Sequence, residues 1–373
     1  MPVFGAAILT GASASLEEIT EGTLWLWGEA GNNIGTTSGD QNEPQQIGSL
    51  ETWAQVYGGN ATCCMVKTDN SMWMMADGSE GQMGDGTTIS KESPVQIGST
   101  EWKKTDRGCA SGNGSTFGIK TNGTLWTWGK DAYSTHDPKP SSPVQIGTAT
   151  NWASMCSLSN NSSHVMAITS ANTLWVWGSG SRGRMGLGST TSYTNAPGDP
   201  QQIGALTTWD NCANSTWCSA AVKTDNTLWA WGLGTVVGDG GQTNRSSPVQ
   251  IGSLTTWSKV WSSKSAIFAL KTDGTLWAWG NNAYGDLGQG NTINASSPVQ
   301  IGSGTDWESV GGNAAGAAAI KTDGTLWAWG LNDNGQLGQG DTITTSSPVQ
   351  VGEAIGWGMV GDGFEDENGA IGG

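Results

Sequence analysis

One phrase governs what this chain of 373 residues can become. Lys271 to Gly280 reads KTDGTLWAWG, and Lys321 to Gly330 repeats it letter for letter. Degenerate copies run from Glu21 to Gly28, Lys67 to Ala76, Lys120 to Gly129, Thr169 to Gly178 and Lys223 to Gly232. The first Trp of each copy stands at 25, 73, 126, 175, 229, 277 and 327, in steps of 48 to 54 residues. A second phrase, PVQIG or a variant, begins at Pro44, Pro94, Pro143, Pro200, Pro248, Pro298 and Pro348. A further Trp follows each at 53, 102, 152, 209, 257, 307 and 357. Three markers in fixed order, seven times over, define a tandem repeat rather than one or two ordinary domains.

The local chemistry of the unit is β. In GTLWAWG, Trp277 and Trp279 share one face and Leu276 and Ala278 the other, the period of a strand. Both faces are apolar, as in a strand packed between neighbouring sheets. Asp273-Gly274 and its counterparts, among them Asn122-Gly123 and Asp225-Asn226, suit a tight turn with positive φ. The unit therefore predicts four antiparallel strands: A from the marker Trp, B (AIK), C (GTLWAWG) and D (PVQIG). Four such strands make one propeller blade. Twenty of the 22 Trp fall on three repeat positions, Met75 replacing one, and read as wedge core between blades. Each removes about 200 Å² from water, roughly 5 kcal/mol gross. Trp217 and Trp261 lie outside the pattern and are candidates for an aromatic carbohydrate platform.

The predicted fold is all-β: a seven-bladed propeller of four-stranded antiparallel blades, closed by a composite blade of N- and C-terminal strands. Strands C and D of the first unit, Gly22 to Gly48, precede any full A–B pair, and the last A strand starts at Trp357. Trp357 to Ile371 supplies the missing pair and removes the free edges. Counting back from Trp25 sets Ile8 opposite Val310, so the N-terminus competes for the same place. The marker Trp357 favours the C-terminal segment. Residues 1–14 are then an arm packed on a neighbouring subunit, and 15–373 a single propeller domain.

These residues resemble the regulator-of-chromosome-condensation repeat family. The likeness rests on DGTLWAWGLNDNGQLGQGDT, Asp323 to Thr342, with its W-G-x-N-x-x-G-Q-L-G core, and on Gly280 to Gly290. It implies the propeller fold over nearly the whole chain. The eponymous member is an exchange factor for a small nuclear GTPase that docks on nucleosomes. Function does not travel with the fold alone. The wording KTDGTLWAWG with SSPVQIG is similar to the bacterial and phage branch, whose members are secreted, surface or virion proteins.

Charge narrows the partners. Sixteen Lys and Arg against 32 Asp and Glu leave a formal charge of −16, which repels phosphate backbones and anionic membrane. No nucleic acid is expected as a partner, and no membrane insertion, since no run of 18 apolar residues occurs. The N-terminus carries no Lys or Arg before its apolar stretch Val3 to Leu9 and reads as part of the working protein, not as a secretory signal. Cysteines at 63, 64, 109, 156, 212 and 218 show no C-x-x-C spacing and read as buried free thiols.

Catalytic signatures are missing. His136 and His164 are the two histidines and read as loop residues of different repeats. No H-E-x-x-H, G-x-S-x-G or P-loop occurs. The glycine runs Gly81 to Gly86 and Gly335 to Thr342 read as turns, and Glu365-Asp366-Glu367 as a solvated loop. Neither catalytic residues, nor a metal site, nor a cofactor is expected.

Departures from the repeat point to binding. Most units place 20 residues between the A-strand and C-strand Trp, but Trp102 to Trp126 takes 24 and Trp152 to Trp175 takes 23. The C–D segment is longest from Trp175 to Trp209, at 34 residues. In an antiparallel blade the A–B and C–D loops leave the disc on one face, so all three insertions predict one contact surface. Its expected residues are Asn113, Ser115, Asn160, Asn161, Arg182, Arg184 and Tyr193, within Ser111 to Ser115, Ser159 to Ser163 and Ser181 to Tyr193. The expected role is non-catalytic: a phage virion or tail-associated subunit in an oligomeric assembly, contacting other proteins or a host glycan or receptor. The alternatives are a secreted or cell-surface adhesion module, and a regulator that binds a GTPase or enzyme.

Overall fold

The computed structural model describes residues 22–29, 40–49, 52–59, 62–104, 107–112, 114–130, 139–158, 164–190, 200–362 and 367–372. They form seven antiparallel sheets arranged as the blades of a closed propeller. The seventh blade shows the plan: A is Trp307–Gly312, B Gly316–Lys321, C Leu326–Gly330 and D Thr345–Gln350. Blades 2 to 6 follow the same A-B-C-D order. Blade 1 is the composite one. Its A and B strands, Trp357–Val360 and Glu367–Gly372, pair with C and D strands Thr23–Gly28 and Gln41–Gln46. Thr23 faces Gly372 and Trp25 faces Ala370, so the C-terminal segment fills the place for which both termini competed. The arm expected over residues 1–14 lies outside the described residues.

The repeated letters each have a job. In KTDGTLW of blade 6, the Asp273 carboxylate accepts from the Thr275 amide (3.0 Å) and hydroxyl (2.7 Å), fixing the B–C turn. The Thr275 hydroxyl in turn accepts from the Trp277 indole N–H at 2.9 Å. Lys271 extends over two rings, 4.9 Å from Trp257 on strand A and 3.7 Å from Trp277 on strand C, a cation–π clasp. Equivalent clasps are made by Lys67, Lys120, Lys223 and Lys321. The second Trp of strand C joins blades. Trp329 is fully buried and donates to the carbonyl of Asp286 in blade 6 (2.9 Å), as Trp279 does to Val236 in blade 5 (3.0 Å). A Cβ on Gly288 would sit 2.9 Å from the Trp329 indole nitrogen, and its φ is +67°. Only glycine lets the neighbouring indole close on that loop.

Two sequence expectations are corrected here. Four of the six cysteines are not free: Cys64–Cys109 join blades 2 and 3, and Cys156–Cys212 join blades 4 and 5. Cys63 and Cys218 are the buried free thiols. The spacing rule missed these pairs because partners on adjacent blades lie a whole repeat apart in sequence.

The second correction concerns the insertion in blade 3. It is not in the loop Ser111 to Ser115, which is a tight hairpin with Gly112 facing Ser115. Strand A there is Cys109–Gly112, and Trp102 bridges Lys120 separately. The extra residues fall between Lys103 and Gly108, both of which bond to Ile119. Arg107, at φ +79°, reaches from this segment to three other blades. Its guanidinium donates to the carbonyls of Cys212 (2.6 Å, blade 5) and Val260 (3.0 Å, blade 6). It lies 3.8 Å from the Asp362 carboxylate of blade 1 and 5.8 Å from the Trp261 ring centroid. Trp261 is buried under this arginine rather than exposed as a platform.

Candidate binding face

The A–B turns and C–D segments of blades 4, 5 and 6 meet on one face of the disc. Blade 4 begins with Trp152–Met155 and resumes with strand B, His164–Thr169. Between them Ser157–Leu158 leaves its own sheet and pairs in parallel with Ala213–Asn214 of blade 5. The insertion expected over Ser159 to Ser163 lies outside the described residues. After strand C, Leu174–Gly178, the long C–D segment opens with a short 3-10 turn, Ser181–Gly183.

The two arginines of that turn do different things. Arg184 is buried, donating to the carbonyls of Ser179 (2.9 Å) and Thr216 (2.6 Å). Its own carbonyl accepts from the Ser219 hydroxyl (2.8 Å) and the Trp231 indole (2.9 Å). It staples blade 4 to blade 5 and presents no charge to a partner. Arg182 is exposed, and its Cζ lies 4.5 Å from the centroid of Trp217 on the A–B turn of blade 5. Ser115 is buried, its hydroxyl donating to the Lys130 carbonyl. Asn113, Asn160, Asn161 and Tyr193 lie outside the described residues.

Trp217 fronts a groove of about 400 Å³ between blades 5 and 6. Two local changes shape its walls. Trp217 occupies the position whose carbonyl accepts from Leu233; Ser265 and Ala315 hold that place in blades 6 and 7, accepting from Asn281 and Leu331. The C–D loop is also shorter: Gly232 pairs with Arg245, thirteen residues on, whereas Gly280 pairs with Ala295 and Gly330 with Thr345, fifteen on. The sequence marked Trp217 as out of pattern, but the shortened rim was not recognised.

Chemistry at this face is limited by burial. His164 opens a strand rather than lying in a loop, fully buried with its Nε2 2.7 Å from the Ser219 hydroxyl. Burial first, and the Arg184 charge second, hold its pKa well below the usual imidazole value. Burial also pushes the Cys218 thiol up to about 12, far from a reactive thiolate. Among the described residues no three His, Cys, Asp or Glu side chains gather to hold a metal, and no helix is long and apolar enough to cross a membrane.

Asp286, on the C–D loop of blade 6, is the one acid raised to about 6 among the described residues. Burial raises it, against backbone N–H groups of Tyr284, Asp286 and Ala283 that hold it down. Blades 2 and 7 carry neutral Gln82 and Gln336 at that place. A carboxyl raised in the folded state stabilises fully below its unfolded pKa and loses that contribution as pH rises through about 6. Asp286→Gln is therefore expected to stabilise the disc at pH 7.5 by up to about 3 kcal/mol, or about 4 °C in melting temperature. The gain should vanish near pH 4. Melting curves at both pH values check it, and an equal shift at both would rule the ionised carboxyl out as the cause.

A closed ring of seven four-stranded sheets makes the molecule a seven-bladed β-propeller, and the comparisons support an RCC1-like one. The Regulator of chromosome condensation (RCC1) repeat matches residues 273–316 and 323–358, and a second model of that repeat matches 309–336. Prp20p from Saccharomyces cerevisiae superposes with a TM-score of 0.78 at 14% identity, over 95% of this chain and 92% of that one. Human WBSCR16 does so with a TM-score of 0.76 at 16% identity, over 94% and 98%. The E3 ubiquitin-protein ligase HERC2 of Homo sapiens is 27% identical over 133 residues, which is 34% of this chain. The match spans 3% of HERC2's length.

Proposed function

We propose that this chain is a non-catalytic binding propeller that docks a protein partner on the A–B/C–D face of blades 4 to 6. One observation carries this reading. The repeat is broken repeatedly on that side, by the strand handed from blade 4 to blade 5, the long segment after Gly178, Trp217 and the shortened rim of blade 5. Sevenfold packing requires none of these changes, and loops beyond the needs of a fold are where binding resides.

A photo-crosslinking residue at exposed Thr190 is expected to trap one protein from the source cells, and the same purified protein afterwards. The same residue at Leu254, exposed on a D–A link of the opposite face, should not. Equal trapping from both sites, or from Leu254 alone, would overturn the assignment. Arg182→Ala should weaken the captured complex, whereas Arg184→Ala would disturb the fold and test nothing about docking.

A small GTPase is the first partner class to assay, because the crystal structure of Prp20p is presented with its binding to Gsp1p and histones. Accelerated release of a fluorescent GDP from a purified GTPase would support that reading. The virion and cell-surface settings expected from the sequence gain no support from these relatives, and docking on this face depends on neither.

A further inference from the structure

We infer that the groove between blades 5 and 6 is a binding site for a neutral saccharide, with Trp217 as its stacking surface. The inference goes beyond protein docking and has its own readout.

The lining is the first argument. Half-buried Trp217 forms one side; Asn281, Asn294 and Ser296 of blade 6 stand opposite, with Gln242 at the rim. None of the residues lining the groove is ionisable, and the nearby cation Arg182 is stacked on the Trp217 ring rather than part of that lining, so the walls themselves offer a phosphate, carboxylate or metal ion no counter-charge. A neutral ligand avoids that loss of hydration.

Unspent hydrogen-bonding capacity is the second. The Asn281 carbonyl oxygen accepts from the Ala283 amide (3.1 Å), and that of Asn294 from the Asn282 amide (2.8 Å). Both side chains are thereby oriented, while neither NH₂ group has a protein acceptor among the described residues. Fixed amide donors and hydroxyls beside an indole match a pyranose ring, which offers hydroxyls at its edge and C–H groups on its face. A volume of about 400 Å³ lies within the range of small-ligand sites.

The indole is also held in place. The Ser215 hydroxyl accepts from the Trp217 amide (3.3 Å) and the Cys218 amide (3.1 Å), fixing the turn. Arg182, at φ +62°, stacks its guanidinium on the ring. A non-glycine residue kept at positive φ to cover a partly exposed Trp is a local cost offset by positioning that ring. Arg182 is thus a positioning residue.

The test uses the full chain and a panel of neutral disaccharides, maltose, lactose, cellobiose and N,N′-diacetylchitobiose, with sialyllactose and a neutral Asn-rich peptide as contrasts. Binding is read by saturation-transfer NMR and by titration. At least one neutral sugar is expected to bind, with saturation strongest on its ring C–H protons. Trp217→Ser, which restores the residue of blade 6, should weaken that binding at least tenfold with the melting temperature unchanged. Arg182→Ala should weaken it less, and Leu254→Ala should leave it unaltered. Failure of every neutral sugar, survival of binding in Trp217→Ser, or preference for the charged sugar or the peptide would each overturn the assignment. Cross-linking through Thr190 is unaffected by any of these results, so the two readings fail separately.

Discussion

A chain lacking residues 367–373 is expected to lose its single cooperative unfolding transition. The removed strand, Glu367–Gly372, lies between the A and C strands of blade 1 and pairs along six positions with Thr23–Gly28. Its loss removes several backbone hydrogen bonds at about 1 kcal/mol net each, and the burial of Ile371, about 2 kcal/mol. It also leaves Trp357–Val360 without its sheet neighbour. Whole domains are stable by only about 5–15 kcal/mol, so this one strand accounts for a large part of the margin. Opening the ring has a further cost, because the edge of Thr23–Gly28 and the apolar face of blade 7 that packs in one cluster with Ala370 become exposed. Thermal scans by tryptophan fluorescence and size-exclusion chromatography check the outcome: a broad, early transition and an expanded species. A circular permutant joining residue 373 to residue 1, with new ends at Ser99 and Thr100, keeps the composite blade and should melt cooperatively. A truncated chain that melts like the full one would show that the C-terminal strand is not what closes the disc.

The fold was legible because its determinants are local and repeated. Asp273, Thr275, Trp277 and Lys271 interact within one hairpin and its neighbouring strand, so their spacing alone announces the blade. Trp357, in register with the other A-strand markers, was enough to choose the closing segment. What the sequence hid depends on neighbours from other repeats. The distance from Trp102 to Trp126 reveals four extra residues without saying where in the hairpin they fall. Lys103 to Arg107, charged where other A strands read ESVG or SKVW, was the available signal for their position. Arg182 and Arg184 look alike in sequence, yet one stacks on Trp217 and the other is buried on two carbonyls. Two residues of backbone reversed their roles. Likewise the groove arises from a Trp in one blade and a shortened loop beside it, facing amides contributed by the next.

Arg107 is where that hidden, nonlocal layer has its largest expected effect. One guanidinium serves carbonyls of blades 5 and 6 and stands beside a carboxylate of blade 1, while its own amide donates to the Tyr57 hydroxyl of blade 2 at 2.7 Å. All of this is buried, with the arginine side chain 4% exposed and Asp362 8%. Removing one member of a buried charge pair costs about 3–5 kcal/mol, because the charge left behind stays out of water and has lost its opposite partner. Arg107→Met, which keeps most of the volume, is expected to lose that amount in urea titrations followed by tryptophan fluorescence. Arg107→Gly separates the causes, since glycine relieves the backbone at φ +79° and still deletes the guanidinium. It should be as damaging as Met or nearly so. Adding Asp362→Asn to Arg107→Met should recover part of the loss, for the carboxylate that faced the lost guanidinium no longer carries a charge. If Arg107→Met stays within about 1 kcal/mol of the native protein, the blades are held by their tryptophan wedges alone and the arginine is incidental. A deficit restored by Asp362→Asn would instead show that an insertion in one blade has become a tie across the ring, binding together sheets that are not neighbours in the circle.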